Sequence, residues 1–550
     1  MSIKTITVCD LSDLNDGQMK EFAFEGDGKI VVYRLGDAVH ATSAFCTHYG
    51  APLAKGVLAA DGRVVCPWHG ACFNVCTGDI EDAPAPSALH SFKTQIVDGK
   101  VVVTADVSRT LKSNLARAPT LISPAAAPTG KGVVIVGGGA GTFHVIESLR
   151  EHGYSDDITI LSKELHAPID RTKLSKALIT DPAKIELRTA ADLKIRYGTT
   201  LRIGVNVTSI DTSAKQVIFE GGKESISYEQ LILAMGGTPR RLPIEGANLE
   251  NVYTFRGIED SKKVDTAAQE GKRMVVMGSS FISMELVVAV AKRKLASIDV
   301  IGIEEVPFQS VLGKEIGTGL KKYHESQGVK FHMQSKAEKI VASEGNSSEA
   351  SGVLVNGQII PADFIVMGVG VAPATEFLKQ SGFRLEKDGG IEVDEYLRVP
   401  GHPDVYAIGD IACYPQLGTS ETRRVEHWNV AGNQGRAVGM TISGKSQPFV
   451  KIPIFWSAQG QQLRYCGISA GYDEVIIKGD PGEMKFIAYY VKHNRVVAVA
   501  SMQNDPVVSK ASELLRLGLM PSPEELRAGK NLLDVDISSL SVMTRIQSAQ

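Results

Sequence analysis

Apolar and polar positions follow two different patterns along this chain of 550 residues. Over residues 1–107, short alternating runs are separated by turns, as in KIVVYRLGDAVHATSAFC (29–46) and SFKTQIVDGKVVVTAD (91–106). Alternation with a period of two is typical of half-buried strands, and VDGK between two such runs favours a hairpin turn. We therefore predict a small all-β domain over residues 1–107.

Beyond residue 131 the pattern changes to a strand, a glycine-rich turn and an amphipathic helix. KGVVIVGGGAGTFHVIESLREHG (131–153) has this order, and KRMVVMGSSFISMELVVAVAKRK (272–294) repeats it. Two such units predict two nucleotide-binding α/β domains of the Rossmann type.

The chain is too long for a single core, so we expect several domains. The stretch 108–131 is rich in Ala, Pro and Ser. As a flexible linker it would span about 25–30 Å, enough for one domain to swing against another. The β domain is predicted to span 1–107 and the linker 108–131. The first nucleotide-binding domain would consist of 132–250 together with 374–450, and the second would be inserted into it as 251–373. The C-terminal α+β domain would span 451–550.

Composition limits the classes of partner. The chain is 43% hydrophobic and 22% charged, with a formal net charge of −3. This balance offers no electrostatic basis for binding nucleic acid or an anionic membrane. The longest uncharged apolar stretches, 133–146 and 364–375, are shorter than the roughly 18–20 residues that a membrane span needs.

The N-terminal sequence MSIKTITVCDLSDL contains neither an apolar signal core nor an Arg-rich presequence. The seven cysteines are odd in number and scattered, which favours a reducing compartment over a secreted disulfide framework. We expect a cytoplasmic protein, and mitochondrial association stays open.

The first glycine-rich turn, VIVGGGAGT (134–142), has the features of a dinucleotide site. Gly137 allows a tight turn, Gly139 lets the backbone approach a pyrophosphate, and the helix that follows directs its N-terminus at the anion. Thr142 stands where a third glycine is usual, with Gly141 beside it. A glycine-rich turn alone is weak evidence, because many such turns are only loops.

Further motifs carry a family resemblance. VYAIGDIACYP (405–415) ends a strand at Gly409-Asp410, and together with APIDRTKLSK (167–176) it resembles the pyridine-nucleotide-dependent flavoprotein reductases. The similarity is greatest to the ferredoxin-reductase and apoptosis-inducing-factor branch, over roughly residues 130–550. It implies that Glu164 holds the adenosine ribose of FAD and that Arg171 and Lys176 line the cofactor. The other implied FAD contacts are Gly137, Gly139 and Asp410.

RVEHWNVAGNQG (424–435) and IPIFWSAQG (452–460) also resemble segments of this branch that close over the isoalloxazine and the nicotinamide. The resemblance implies that Trp456 is an aromatic wall of the FAD site, with core packing as the alternative role. Ala458 stands where the family usually has Asp, which predicts the loss of one polar contact.

In the second glycine-rich turn, Gly278 keeps the first fingerprint position, but Ser280 and Ser283 replace the other two glycines. The strand that follows ends in Glu304, whose carboxylate would accept from a ribose 2′-hydroxyl and repel a 2′-phosphate. NADH is therefore favoured over NADPH. A Rossmann-like domain without bound nucleotide is the competing interpretation.

Lys176 and Glu285 are the candidate catalytic pair. Glu285 lies in the helix after the second turn, where the resembled reductases place a glutamate near the flavin, and we predict that it pairs with Lys176 beside flavin N5. A surface salt bridge, which would contribute little, is the alternative. A Cys-x-x-Cys or Cys-x4-Cys motif does not follow the first glycine-rich helix in the sequence, so a disulfide-reductase mechanism lacks its dithiol.

Residues 46–76 contain Cys46-x-His48 and Cys66-x-x-His69. A Cys2His2 zinc site normally has two cysteines followed by two histidines, whereas a Rieske [2Fe–2S] centre needs two thiolates on one iron and two imidazoles on the other. CTHYGAPL, CPWHG and TGDIEDAPAP resemble Rieske domains, which makes these four residues the predicted cluster ligands, with zinc as the alternative. The resemblance implies that His48 and His69 are exposed and present the cluster to an acceptor.

Four positions near these ligands bear on the reduction potential. Tyr49 and Trp68 replace the disulfide cysteines of respiratory Rieske proteins, and Ala71 and Phe73 replace hydroxyl donors to the cluster. Fewer hydrogen bonds favour the oxidised cluster and hence a low potential. Cys72 and Cys76 are expected to be free, with a disulfide between them as the alternative.

Together the motifs resemble the Rieske-containing subgroup of apoptosis-inducing-factor-like oxidoreductases. The resemblance implies a path from NADH through FAD to the [2Fe–2S] cluster and on to an unknown acceptor, which is a protein or a small molecule. Two alternatives remain: a nucleotide-controlled signalling protein with incidental turnover, and a fused reductase and ferredoxin that serves a separate oxygenase. A homodimer is left open.

Overall fold

The computed structural model describes residues 2–117, 132–417 and 421–539, and its N-terminal part consists of two antiparallel sheets. The larger sheet has the spatial strand order Ile3–Asp10, Lys100–Asp106, Ser91–Val97, Ala38–Ser43, Gly28–Leu35 and Met19–Phe24. The smaller sheet consists of Val57–Ala59, Arg63–Val65, Cys72–Asn74 and Ile80–Asp82. The predicted VDGK hairpin is confirmed, because Asp98 and Gly99 turn the chain with φ values of 49° and 71°.

Residues 107–117 lie against this β domain. They form two single-turn 3-10 helices, Val107–Thr110 and Lys112–Asn114, and the Arg117 amide donates to the Ala88 carbonyl at 2.9 Å. The remainder of the predicted linker, residues 118–131, lies outside the described residues. The linker and the four domain boundaries stay predictions.

The first α/β domain is built on a six-stranded sheet. Its order is Thr199–Arg202, Ile158–Leu161, Val133–Val136, Gln230–Leu233, His402–Ala407 and Arg398–Val399, with only the last strand antiparallel. A meander of Val207–Asp211, Gln216–Phe219 and Glu224–Ser227 adjoins it. The helices of this region are Ala140–Glu151, Leu174–Ala177, Ala190–Ile195 and Trp428–Ile442.

Helices Ala140–Glu151 and Trp428–Ile442 are in close contact. A Cβ on Gly435 would come within 2.4 Å of the Gly141 carbonyl oxygen, so only glycine fits this crossing. This contact fixes the first glycine-rich turn, which precedes helix Ala140–Glu151, relative to the segment that precedes helix Trp428–Ile442.

The second α/β domain has a fully parallel sheet in the order Val252–Thr254, Phe364–Met367, Arg273–Met277, Ser297–Ile301 and Val329–His332. Its helices are Ile258–Ala267, Phe281–Ala291, Gln309–Leu312 and Lys314–Ser326. Its meander consists of Ala337–Ala342, Ala350–Val355 and Gln358–Pro361. The predicted repetition of the strand–turn–helix unit is confirmed.

The C-terminal region is α+β, as expected. Its antiparallel sheet has the order Ile454–Gln459, Gln461–Gly467, Arg495–Met502, Lys485–Lys492 and Glu474–Asp480. Helices Val507–Leu517 and Pro523–Arg527 follow. The described residues also contain five short strands outside these sheets. Gly237–Pro239 pairs with Val371–Pro373, and Ala412–Pro415 pairs with both Ile391–Glu392 and Thr422–Arg424.

The β domain shares a hydrophobic core with the C-terminal region. Val57, Val65 and Cys72 belong to one buried cluster with Ile454 and Cys466. Beside this cluster, the buried Arg63 guanidinium pairs with Glu513 of helix Val507–Leu517 at 3.2 Å and with Asp82 of its own domain. The β domain is therefore packed firmly against the C-terminal region. Among the described residues, no helix is long and apolar enough to cross a membrane.

Candidate functional site

The first glycine-rich turn leaves space in front of a helix N-terminus. Gly137 has a φ of 119°, and a Cβ there would lie 2.2 Å from the Ala234 carbonyl oxygen. A Cβ on Gly139 would meet no described atom within 4 Å, and no side chain of the described residues caps helix Ala140–Glu151. Free backbone N–H groups at such a terminus suit a pyrophosphate. Thr142, at the third fingerprint position, is buried and donates its hydroxyl to the Gly137 carbonyl at 2.8 Å.

A cavity of about 930 Å³ extends from this turn past the second glycine-rich turn to the C-terminal sheet. Its volume is at the upper end of the range of about 300–1,000 Å³ for ligand sites, which suits a large cofactor such as a dinucleotide. All seven predicted FAD contacts line it: Gly137, Gly139, Glu164, Arg171, Lys176, Asp410 and Trp456.

Two carboxylates of the cavity are held by arginines. Arg171 donates to both oxygens of Glu164 at 2.7 and 2.8 Å, and Arg256 donates to Asp410 at 2.7 Å. Arg171 also donates to the Arg256 carbonyl at 2.9 Å, which joins the two pairs. Arg256 was not predicted, because an isolated basic residue before a helix gives no sequence signal. These pairs place both charge signs in the wall of the cavity, and such groups suit the hydroxyl and phosphate groups of a dinucleotide.

Lys176 and Glu285 form the predicted pair, with 3.0 Å between Nζ and Oε2. Glu285 is 4% exposed and also accepts hydrogen bonds from the Ser175 hydroxyl, from the Ser457 hydroxyl at 2.7 Å and from the Ala458 amide at 3.2 Å. The surface salt bridge is therefore the wrong alternative. Ala458 has no polar side chain, as the sequence predicts, but its backbone N–H donates to Glu285.

The second glycine-rich turn has the same construction. Gly278 has a φ of 101°, and a Cβ there would lie 2.3 Å from the Gly368 carbonyl oxygen. Ser280 precedes helix Phe281–Ala291, and again no cap from a described side chain is present. Ser280 and Glu285 line the cavity, whereas Gly278 and Glu304 are not among the described residues that line it. Gly278 and Glu304 follow the ends of adjacent parallel strands, so both lie at the same edge of the sheet.

The two Cys-His loops have matching backbone turns. The Cys46 amide donates to the Ala51 carbonyl and the Cys66 amide to the Ala71 carbonyl, both at 2.8 Å. The glycine four residues after each cysteine has a φ of 74°. Each loop thus returns on itself in the same way and presents one thiol and one imidazole.

The four side chains are sorted by type. The Nδ1 atoms of His48 and His69 lie 3.1 Å apart, and the buried thiols of Cys46 and Cys66 are close neighbours. Burial lowers the pKa of His48 to about 4 and the pKa of His69 well below its usual value, so both imidazoles are neutral, as ligation requires. Two thiols at one end and two imidazoles at the other fit a [2Fe–2S] cluster with unlike irons. In the described part of the chain, no three His, Cys, Asp or Glu side chains are grouped around one point as ligands of a single metal ion.

The prediction that both histidines are exposed is wrong. His69 is 4% exposed, and its ring lies 4.4 Å from the ring of Trp456, with the His48 ring at 5.5 Å. Strand Ile454–Gln459 of the C-terminal region, which carries Trp456, covers this edge of the β domain. Because Trp456 also lines the cavity, one buried side chain lies between the imidazoles and the predicted flavin site.

The remaining cysteines take no part in the cavity. All seven cysteines lie in the described residues and are free, so Cys72 and Cys76 do not form a disulfide. Cys413 and Cys466 are buried, and burial raises their pKa values to about 11 and about 12. No cysteine is among the described residues that line the cavity, in agreement with the absence of a dithiol motif.

Models of three protein families match the chain. The model of the pyridine nucleotide-disulphide oxidoreductases matches residues 131–435, the Rieske [2Fe-2S] domain matches residues 4–93, and the reductase C-terminal domain matches residues 454–534. These three matches account for the α/β domains, the β domain and the C-terminal sheet described above.

Two named proteins are similar to much of this chain. Apoptosis-inducing factor 3 of Mus musculus is 40% identical over 517 residues, which cover 93% of this chain and 84% of that protein. Rhodocoxin reductase of Rhodococcus erythropolis is 32% identical over 398 residues, covering 72% of this chain and 91% of the relative.

Among solved structures, the ferredoxin reductase for the CYP199A2 system of Rhodopseudomonas palustris superposes with a TM-score of 0.67 at 28% identity, over 76% of this chain and all of that one. The fold, the cavity, the sorted Cys-His ligands and these similarities agree. The chain therefore belongs to the pyridine nucleotide-disulphide oxidoreductases, as an NAD(P)H-dependent flavoprotein that carries its own Rieske [2Fe–2S] domain.

Proposed function

We propose that this chain carries electrons from NADH to an external acceptor through two redox centres that are packed against each other. The contact of Trp456 with both the FAD cavity and the His48–His69 pair carries the proposal. When bound, FAD accepts a hydride and releases electrons singly, and a [2Fe–2S] cluster takes up one electron at a time. Transfer within one chain replaces a diffusive encounter between a reductase and a ferredoxin.

The residues divide into three roles. Gly137, Gly139 and the open helix N-terminus would bind the pyrophosphate of FAD, while Glu164 and Asp410 would bind its hydroxyl groups beside their paired arginines. The second turn and Glu304 bind NADH. Glu285 fixes the ammonium group of Lys176 in the cavity, at the point where the hydride arrives.

An anaerobic titration with NADH tests the proposal. We expect the flavin absorbance to bleach first and a Rieske-type electron-paramagnetic-resonance signal to follow within the same sample. A bleached flavin beside a cluster that stays oxidised at saturating NADH would contradict the proposed path.

The acceptor is proposed to be a one-electron redox partner. The names of the reductase relatives favour such a partner, including the oxygenase systems, over a signalling role with incidental turnover. Fast steady-state NADH oxidation with a one-electron acceptor supports electron transfer, whereas slow turnover with nucleotide-dependent association supports signalling. Seven free cysteines support a reducing compartment such as the cytoplasm. The oligomeric state is left open, and light scattering measures it.

The midpoint potential of the cluster is expected to lie below about +100 mV, in the lower part of the Rieske range of about −150 to +300 mV. Ala71 and Phe73 are buried beside the ligand loop without a hydroxyl to donate to the cluster. Potentiometry followed by electron paramagnetic resonance measures the value. Ala71→Ser should raise it, and a wild-type midpoint above about +100 mV would show the prediction to be wrong.

Replacing Glu304 with glutamine should weaken the preference for NADH. Its carboxylate would repel the 2′-phosphate of NADPH, so we expect the ratio of kcat/KM for NADH over NADPH to fall by about tenfold, or 1.4 kcal/mol. Steady-state kinetics with both nucleotides measure this ratio. Glu305→Gln is the matched control, since Glu305 is the neighbouring exposed residue and pairs with Lys314 at 2.5 Å. An equal change in both variants would exclude a specific role for Glu304.

A further inference from the structure

In the first ligand loop, His48 and Tyr49 contact the flavoprotein directly and Thr47 contacts the neighbouring segment of the β domain, and only His48 is a predicted ligand. The His48 ring contacts His69 and Trp456. The residues on either side of it, Thr47 and Tyr49, are each held by a separate chain of hydrogen bonds that ends in the first α/β domain. None of these anchoring contacts has a role in the path proposed above.

The Tyr49 anchor is a direct bond across the domain boundary. Its hydroxyl donates to Asp170 Oδ2 at 2.6 Å and lies 3.4 Å from the Thr172 hydroxyl. Its ring stacks on the His48 ring, with 3.8 Å between centroids and 18° between planes. The position of the His48 ring therefore depends on where Asp170 holds the tyrosine.

Asp170 belongs to a turn that also lines the FAD cavity. Its second oxygen, Oδ1, accepts from the Thr172 amide at 3.2 Å and from the Thr172 hydroxyl at 2.6 Å. Arg171, Thr172 and Lys176, which follow in the same turn and the short helix after it, all line the cavity. One rigid turn thus contacts the cavity on one side and the ligand loop on the other.

The Thr47 anchor runs through a second segment of the β domain. The Thr47 hydroxyl donates to the Ser87 carbonyl at 2.5 Å. Arg188 of the α/β domain donates to the Pro86 carbonyl at 2.6 Å and to the Ser87 hydroxyl at 3.1 Å. Arg188 therefore holds the segment on which the ligand loop rests.

Arg188 is itself fixed inside the α/β domain. Its guanidinium lies 2.9 Å from Glu147 Oε1 and 3.1 Å from the Tyr197 hydroxyl, and it lies over the Phe143 ring at 5.2 Å. Its side chain is 12% exposed and Glu147 is buried. A planar guanidinium with several simultaneous donors is suited to fixing a backbone segment, whereas an ammonium group is a point charge on a flexible stem.

We propose that Asp170 and Arg188 are positioning residues that hold the ligand loop against the FAD cavity and thereby set the rate of electron transfer between the two centres. The inference rests on the proposed electron path and adds to it the residues that fix its geometry. Neither residue touches a predicted cluster ligand directly. Asp170 acts through the Tyr49 side chain, and Arg188 acts through the Pro86–Ser87 segment, whose backbone carbonyl at Ser87 accepts from Thr47.

Two variants test the two anchors. Tyr49→Phe removes only the hydroxyl and keeps the ring on His48, and Arg188→Lys keeps the charge but loses the planar fork. Stopped-flow spectroscopy with NADH measures the bleaching of the flavin, and freeze-quench electron paramagnetic resonance measures the later reduction of the cluster. In both variants we expect the first rate to be unchanged and the second to fall by about tenfold, since small misplacements carry large rate costs.

Arg516→Gln is the control for general loss of domain contact. Arg516 of the C-terminal region pairs with Asp61 of the β domain at 3.0 Å, so it joins the β domain to the flavoprotein at a boundary other than the one that Asp170 and Arg188 span. We expect both rates to match the wild type in this variant. The cluster content, the midpoint potential and the resonance spectrum are recorded for every variant, because a positioning role leaves all three unchanged.

The outcomes separate the inference from the proposed function. Wild-type rates of cluster reduction in both Tyr49→Phe and Arg188→Lys would overturn the positioning role. A slow step accompanied by a shifted midpoint potential would also overturn it, because the residues would then tune the cluster instead. A wild-type cluster that NADH never reduces would refute the proposed electron path itself, and with it this inference.

Discussion

Glu285→Ala is expected to slow the reduction of the flavin by NADH by about a hundredfold. The carboxylate is buried and holds Lys176, two serine hydroxyls and one backbone amide in a single arrangement. Without the carboxylate the Lys176 ammonium loses its fixed position in the cavity, and a misplacement of about 1 Å can cost about a hundredfold in rate. Stopped-flow absorbance at saturating NADH measures the rate.

Glu285→Gln separates charge from shape. Glutamine keeps one oxygen that can accept from Ser457 and Ala458, so the pocket stays filled while the charge opposite Lys176 is lost. We expect a smaller loss of rate than in the alanine variant, with full FAD content in both. Glu325→Ala is the control, since Glu325 forms an exposed pair with Lys321 in the same domain. Flavin reduction at the wild-type rate in Glu285→Ala would exclude the catalytic role of the pair.

The parts of the site that sequence predicts are those fixed by local backbone geometry. Gly137 and Gly278 need a positive φ and leave no room for a Cβ, so their spacing before a helix shows in the sequence. The Cys-His loops are also local, because each brings its own thiol, imidazole and glycine turn within six residues. For the same reason the order of strands and helices in both α/β domains follows from the hydrophobic pattern.

The parts that sequence misses depend on contacts between distant segments. Arg256 reaches Asp410 across 154 residues of chain, and Arg188 reaches Pro86 across 102. An isolated arginine is an ordinary surface residue until the fold supplies its partner. The orientation of His69 was wrongly predicted because an isolated β domain exposes that edge, whereas here the strand that carries Trp456 covers it.

The covered histidines change the interpretation of the electron path. An edge that faces the FAD cavity is where electrons reach the cluster, so it does not also present the cluster to an acceptor in this arrangement. The shared hydrophobic core and the buried Arg63–Glu513 pair oppose a swing of the β domain. In the proposed path, electrons therefore leave the cluster for the external acceptor through a part of the β domain other than the edge that carries His48 and His69.

His69→Ala is expected to abolish the cluster while leaving the flavoprotein functional. Loss of one imidazole leaves one iron without a full ligand set, so the Rieske-type resonance signal should disappear completely. FAD should remain bound and NADH should bleach it at the wild-type rate, because His69 is not among the described residues that line the cavity and meets it through Trp456. Turnover with a one-electron acceptor such as cytochrome c should fall to the rate that the flavin alone supports.

A histidine of the same β domain provides the control. His40 lies in strand Ala38–Ser43, and its Nε2 is 3.5 Å from the exposed Cys76 thiol, away from the four predicted ligands. His40→Ala should keep the full resonance signal and turnover. Because flavin bleaching is measured in the same samples, a misfolded protein is distinguished from one that has lost only the cluster. A normal Rieske signal in His69→Ala would remove His69 from the ligand set, and unchanged turnover after loss of the signal would remove the cluster from the electron path.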